Sequence, residues 1–179
     1  MDTSTPYLVL GLPDAERAIK LDRRHAEELW GYLDAFLKET GARLPDLEAI
    51  AVGQGPGSYT GLRIAVAAGL GLGRGLGIPV VGVDTLAGVA LRYLGLVSVV
   101  HTSRKGLGYS ASFKVDDGCK VVVQAKRVGL EGLETTIPYG LSGAPGLTVI
   151  DEPPSGRALA RLGAVALSSG KRGVTPVYL

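Results

Sequence analysis

The 179-residue sequence is poor in the side chains that carry covalent and metal chemistry, with one cysteine (Cys119) and two histidines (His25 and His101). A single cysteine makes neither a disulfide framework nor a cysteine metal cluster, which fits a reducing, cytoplasmic setting. Neither histidine has a partner at helical or hairpin ligand spacing, so no metal site is expected. Charge of one sign is lacking too, since 19 Lys and Arg face 17 Asp and Glu. The basic residues fall in short pairs (Arg23-Arg24, Arg104-Lys105, Lys126-Arg127, Lys171-Arg172), so nucleic acid would be touched rather than gripped. No apolar run reaches the ~18 residues of a membrane helix, and no basic segment leads into an apolar core at the N-terminus. A soluble chain without membrane contact is expected, with 46% hydrophobic residues to build one domain or two small lobes.

Motifs for phosphate and acyl chemistry are missing as well. Neither 53–61 nor 69–77 holds a G-x-G-x-x-G, and no G-x-x-x-x-G-K-[ST] occurs, so the glycine-rich turn lacks both phosphate fingerprints. The nearest approach to a nucleophile elbow, Gly140 to Ala144, lacks its last glycine. His25, at a helix start, reads as a surface or partner contact and His101 as structural.

What the chain does have is a strand, turn and helix around Gly53 to Gly77, which organises the rest. Leu47–Val52 reads as a short buried strand ended by Gly55-Pro56-Gly57, after which Ser58 or Thr60 can cap a helix. In that helix Gly61, Ala65, Gly69, Gly73 and Gly77 recur every fourth residue and form a ridge almost without side chains. Two readings stand: the helix lies tightly on its own sheet, or the ridge receives a partner.

Upstream, Tyr7–Leu12 and Ala15–Leu21 read as a hairpin, and His25–Thr40 has helical spacing at Ala26, Leu29, Trp30, Leu33, Phe36 and Leu37 with Gly41 as C-cap. Trp30 and Tyr32 lie on different sides of that helix, so one large aromatic is expected to face away from the sheet. Downstream, Pro79–Val83 reads as a strand parallel to the central one, and Asp84 or Thr85 caps a helix to about Leu94. Three strand-like runs follow from Leu96, with a tight turn at Asp116-Asp117-Gly118, then a short strand at Thr148–Ile150 and a helix over 156–169. The expected division is a first lobe over 1–95 and a smaller β-rich lobe with a terminal helix over 96–179.

The fold class is therefore α/β, and its element order resembles the ribonuclease-H-like lobes of the actin, Hsp70 and sugar-kinase (ASKHA) superfamily. Asp2-Thr3-Ser4-Thr5, the His25-x-Glu27-x-Leu29 helix, Gly55-Pro56-Gly57-Ser58-Tyr59-Thr60-Gly61-Leu62-Arg63, Gly77–Val83 and the ending Pro176–Leu179 together resemble the TsaB (YeaZ) family. That resemblance implies a non-catalytic subunit, without a cofactor of its own, in forming threonylcarbamoyladenosine (t6A) at position 37 of tRNAs that read codons beginning with A. The implied partners are a TsaD-like paralogue and a TsaE-like ATPase, with tRNA reached only through the complex and a homodimer formed in isolation. The implied interface residues are His25, Leu29, Tyr32, Leu33, Phe36, Tyr59, Gly61, Leu62, Arg63, Ala65, Val66, Gly69 and Gly73.

Three departures from the family pattern carry expectations. An apolar strand normally precedes the Asp-Thr-Ser, whereas Met1 stands directly before Asp2; a misassigned start or a shortened chain is expected, with Asp2 loosely held and the fold marginal. Thr102–Tyr109 lacks the two acids usual in the second lobe, and Ala26 replaces a common serine. Asp2 reads either as a turn residue or, in a small nucleotide-binding phosphotransferase of the same fold, as the aspartate that places metal-bound phosphates.

Overall fold

The computed structural model describes residues 1–103, 106–130 and 152–179. Strands β1 (Tyr7–Gly11) and β2 (Glu16–Lys20) form the expected antiparallel hairpin, with Tyr7 opposite Lys20 and Gly11 opposite Glu16. Helix α1 (His25–Thr40) lays its apolar stripe of Leu29, Leu33, Phe36 and Leu37 against Leu8 and Leu10 of β1. It ends at Gly41, whose φ of 71° is left-handed backbone open to glycine without strain.

A 3-10 turn (Leu44–Asp46) leads into β3 (Ile50–Gly53), which starts later than the apolar run suggests. Helix α2 (Tyr59–Leu76) is capped by the Ser58 hydroxyl, which accepts from the Gly61 amide, and ends at Gly77. Strand β4 (Val80–Val83) then pairs in parallel with β3, Ile50 opposite Val80, so α2 is the expected crossover. Asp84 caps α3 (Thr85–Ala90) by accepting from the Leu86 and Ala87 amides. This helix stops short of the expected Leu94: it ends at Ala90, a turn covers 91–93, and Gly95, at φ 90°, opens the next strand.

Strands β5 (Gly95–Thr102), β6 (Leu107–Val115) and β7 (Cys119–Gly129) form an antiparallel sheet in that order. The Asp116–Gly118 turn closes β6 onto β7, the Asp116 carboxylate accepting from the Gly118 amide. Val97, Val99, Phe113 and Val115 of this sheet share one core with Leu86 and Val89 of α3. Helix α4 (Gly156–Ser168) follows the β-rich region in sequence, yet packs on the first sheet: Leu159 meets Val9 and Val83, and a Cβ at Gly163 would come within 2.5 Å of Ala51. Packing therefore runs across the expected 95/96 division in both directions. The expected strand at Thr148–Ile150 lies outside the described residues.

Ser155 holds α4 in place. Its hydroxyl accepts from the Ala158 amide at 3.1 Å and donates to Glu16 Oε2 at 2.6 Å, joining the helix start to β2. Ser155→Ala is expected to lower stability by about 1–2 kcal/mol, read as a shift in the denaturant midpoint at constant slope.

Met1 and Asp2 link the hairpin to the parallel pair. Asp2 and Val9 exchange backbone bonds of 2.9 and 2.8 Å on one side; on the other the Met1 amine donates to the Ala51 carbonyl at 2.7 Å and Gly53 N–H donates to the Met1 carbonyl at 2.9 Å. The order is thus β2, β1, residues 1–2, β3, β4, with α1 and α2 on one face and α4 on the other. Asp2, expected to be loose, is fully buried.

Burial lowers the Met1 amine from 8.0 to about 6, against a smaller opposing effect of the Asp2 charge. Between those values the unfolded chain binds more protons than the folded one, so stability rises with pH across the window, by roughly 2 kcal/mol. Urea midpoints at pH 5.5 and 8.5 check this, and N-terminal acetylation is expected to flatten the difference.

Candidate functional site

The thirteen residues expected at a partner interface divide by exposure. Leu29, Leu33, Phe36, Gly61, Leu62, Ala65, Gly69 and Gly73 are buried within the chain itself. The small-residue ridge of α2 is occupied by the protein's own backbone and sheet: a Cβ at Gly61 would overlap the Thr3 carbonyl, one at Gly69 the Val52 side chain, and one at Gly73 that of Val80. Close approach is what the glycines provide, as the spacing indicated, but the approaching surface is the chain's own first sheet.

His25 is likewise a correction. It opens α1 at 4% exposure, with Leu21 and Leu29 buried on either side of it in sequence, and its Nε2 has no hydrogen-bond partner among the described residues. His101 is buried in β5.

Tyr59 and Arg63 remain on the surface, with Tyr32 and Val66 half-buried. With them stand two residues that the interface reading omitted, Trp30 at 51% exposure and Leu70 at 45%; Tyr59 itself is 59% exposed. Tyr59, Arg63, Val66, Leu70 and Arg74 follow one another at steps of three and four, a stripe opposite the glycine ridge. That periodicity was available in the sequence and identifies the free face once the ridge is assigned to the interior.

The N-terminal end of the stripe is built. The Arg63 guanidinium lies 5.4 Å from the Tyr59 ring centre, and the Tyr178 ring packs against that of Tyr59, their centres 5.1 Å apart and their planes tilted by 41°. Tyr178 is held there by the C-terminal segment, in which Gly173 bonds to Val80 and Gly82, and Val177 N–H donates to the Gln54 carbonyl at 2.8 Å. The matching ending Pro176–Leu179 thus supports the surface beside the glycine turn.

Under that turn lies a closed polar cluster. Asp2 Oδ2 accepts from the Thr85 hydroxyl at 2.6 Å and Oδ1 from the Ser4 amide at 2.6 Å. Thr85 Oγ1 in turn accepts from Gly55 N–H at 3.1 Å and from the Ser4 hydroxyl at 3.2 Å, while Thr3 Oγ1 donates to the Gly61 carbonyl at 2.6 Å. Asp2, Thr3 and Ser4 are each 0% exposed, and a Cβ at Gly53 would overlap the Asp2 carboxylate. This carboxylate ties together the N-terminus, the glycine turn and α3; it does not face solvent, where metal-bound phosphates would arrive.

Among the described residues no three His, Cys, Asp or Glu side chains come together as a metal site. Burial pushes the Cys119 thiol up to about 11, so it is protonated at neutral pH and is a poor nucleophile. Asp84 is raised above the usual carboxylate range, first by burial. Gly140–Ala144 and the Arg104-Lys105 pair lie outside the described residues. Among the described residues no helix is long and apolar enough to cross a membrane.

Residues 19–117 match the family model described as TsaD, tRNA N6-adenosine threonylcarbamoyltransferase. An uncharacterised protein of Mycobacterium tuberculosis is 29% identical over 152 residues, 81% of this chain and 71% of the relative. The tRNA threonylcarbamoyladenosine biosynthesis protein TsaB of Escherichia coli is 35% identical over 100 residues, 53% of this chain and 43% of that protein. Its Bacillus subtilis namesake is 32% identical over 107 residues, 58% and 47% of the two chains. The chain thus spans less than half the length of those two TsaB proteins. YeaZ from Pseudomonas aeruginosa superposes with a TM-score of 0.83 over 99% of this chain and 97% of its own at 24% identity, which establishes the ASKHA-type fold. With more than half of its length under a TsaD-type domain and TsaB proteins among its relatives, the chain belongs to the TsaB (YeaZ) family.

Proposed function

We propose that this chain takes part in the biosynthesis of threonylcarbamoyladenosine in tRNA as a non-catalytic subunit that dimerises with a TsaD-like paralogue. Its place in the pathway rests on the TsaB proteins of Escherichia coli and Bacillus subtilis, both named for that biosynthesis. The observation that carries the docking role is the exposed stripe of α2, where Tyr59 and Leu70 stand in solvent with Arg63 between them. Aromatic and arginine anchors of this kind dominate protein interfaces. The reaction served is modification at position 37 of tRNAs that read codons beginning with A. A TsaE-like ATPase joins the larger complex, tRNA is met only there, and two copies of this chain pair through the same face when the paralogue is absent. The working compartment is the cytoplasm, and each lobe, 1–95 and 96–179, contributes to one subunit.

The second reading, a nucleotide-binding phosphotransferase, has Asp2 as its chemical residue. Both Asp2 oxygens are already engaged below the surface, which favours the subunit.

Co-purification with the TsaD-like protein of the same organism tests the proposal, with Tyr59→Asp and Leu70→Asp placed on the exposed stripe. Both are expected to keep the wild-type melting profile and to weaken the complex at least about tenfold, or ~1.4 kcal/mol, each. If the wild type ignored the paralogue but bound ATP, and Asp2→Ala abolished that binding, the phosphotransferase reading would replace this one.

A further inference from the structure

The outer face of the second sheet carries charge that the fold does not use. Phe113 and Val115 of β6 turn inward to the core shared with α3, so Lys114 between them points outward. Lys120 of β7 stands directly opposite Lys114, and Lys126 opposite Ser110, which alternation along β6 puts on the same face as Lys114. All three lysines are exposed. Between them the register slips at Ser110/Ser112 and at Ser112/Phe113, so the six steps from 120 to 126 lie against the four from 114 to 110. Lys120 and Lys126 are thereby drawn to roughly 13 Å apart, where an unbroken strand would leave about 20 Å.

Nothing in the sheet calls for this arrangement. Like charges opposite each other on paired strands destabilise the pair. Asp116 stands 4.0 Å from Lys114, but both side chains are more than half exposed, so the contact offsets little. Lys120 and Lys126 have no ion-pair partner among the described residues. Lysine on an edge strand discourages unwanted strand pairing, yet Lys114 belongs to β6, the middle strand of the three, where that duty does not arise. A local rule broken without gain to the fold marks a functional surface.

We propose that Lys114, Lys120 and Lys126 form a contact for the phosphate backbone of RNA, so that this chain touches the tRNA as well as docking the paralogue. The choice of tRNA as the polyanion rests on the tRNA-modification role proposed above. The chemistry of the surface selects phosphate over an acidic protein. Protein interfaces are built on aromatic and arginine anchors and are depleted in lysine, whereas lysine serves phosphates as a flexible point charge. Among the described residues no aromatic side chain shares that face of β6 and β7 with the lysines, so the contact reads charge and not bases. Three contacts are too few to hold tRNA alone at physiological salt, and they add to the grip of the assembled complex. The surface lies on other elements than the α2 stripe.

Filter binding of unfractionated tRNA by the isolated full chain, from about 20 to 200 mM salt, tests this. Weak, saturable binding is expected at the low end, with log affinity falling against log salt at a slope of about −2 to −3. Lys114→Gln/Lys120→Gln/Lys126→Gln is expected to weaken binding at the low end at least tenfold and to flatten the slope by about 0.7–0.9 per lysine, and Lys126→Gln alone by one such step. A control, Lys20→Gln/Lys38→Gln/Arg43→Gln, removes equal charge from the first lobe and is expected to leave affinity and slope unchanged. The triple lysine variant is expected to melt no lower than the wild type, since Lys114 and Lys120 no longer repel. No binding by the wild type, an unchanged slope in both the triple and the single lysine variant, an equal loss in the control, or polyglutamate competing as well as tRNA would each overturn the proposal. Co-purification judges the subunit reading separately. A chain that holds the paralogue without a lysine-dependent slope loses this inference alone, whereas a lysine-dependent slope in a chain that ignores the paralogue keeps the RNA contact and removes the subunit reading.

Discussion

Gly61→Ala is expected to destabilise the chain by about 3 kcal/mol or more, whereas Gly71→Ala ten residues along the same helix is expected to stabilise it by up to about 1 kcal/mol. The added methyl is identical in the two variants; its surroundings are not. At 61 the new Cβ would overlap the backbone carbonyl of Thr3, and Thr3 cannot retreat, because its hydroxyl is bonded at 2.6 Å to the Gly61 carbonyl and its neighbours are buried. At 71 and 75 nothing lies within 4 Å, so alanine only removes the conformational freedom that glycine loses on helix formation. In a domain of this size each kcal/mol moves the melting temperature by roughly 2–4 °C, so calorimetry should separate the two by roughly ten degrees. Gly69 and Gly73 follow Gly61, since a side chain there enters the sheet at Val52 or Val80. Bulky substitutions on that ridge therefore report on folding, and probes of docking belong on the Tyr59–Leu70 stripe.

Thr85→Val is the second large effect, expected at about 3–5 kcal/mol although the side chain keeps its volume. The hydroxyl of Thr85 donates to Asp2 Oδ2 and accepts from the Gly55 amide and the Ser4 hydroxyl, all below the surface. Valine leaves a buried carboxylate with one donor fewer and a buried amide without its acceptor. No cavity forms, so the loss is that of unsatisfied polar groups rather than of packing. Guanidinium denaturation of the single variants and of Asp2→Ala/Thr85→Val checks the assignment: the double variant should lose clearly less than the sum of the singles, because the stranded charge is then gone.

Local chemistry made much of the fold legible. Gly41 and Gly77 end their helices in the left-handed region, Ser58 and Asp84 cap theirs, and the Asp116–Gly118 turn joins two strands. Each depends on a few neighbouring residues, and each follows from the sequence at that point. Element ends were less legible. Whether β3 starts at Leu47 or Ile50, and whether α3 reaches Leu94, depends on what packs alongside rather than on apolar content.

The amino-acid sequence by itself determined the α/β order, the hairpin and parallel pair, the helix caps and the family, all carried by near-neighbour patterns and a contiguous motif at Gly55–Arg63. Only the tertiary structure decided which face of α2 is free. The glycine ridge and the Tyr59–Leu70 stripe are both periodic, and the ridge went inside because β3 and β4 approach closely there. Tertiary contacts also buried His25, turned Asp2 from a loose end into a staple across 83 residues to Thr85, and laid α4 on the first sheet. These outcomes share one physical cause: they are set by partners far apart in sequence, whose meeting no local propensity encodes.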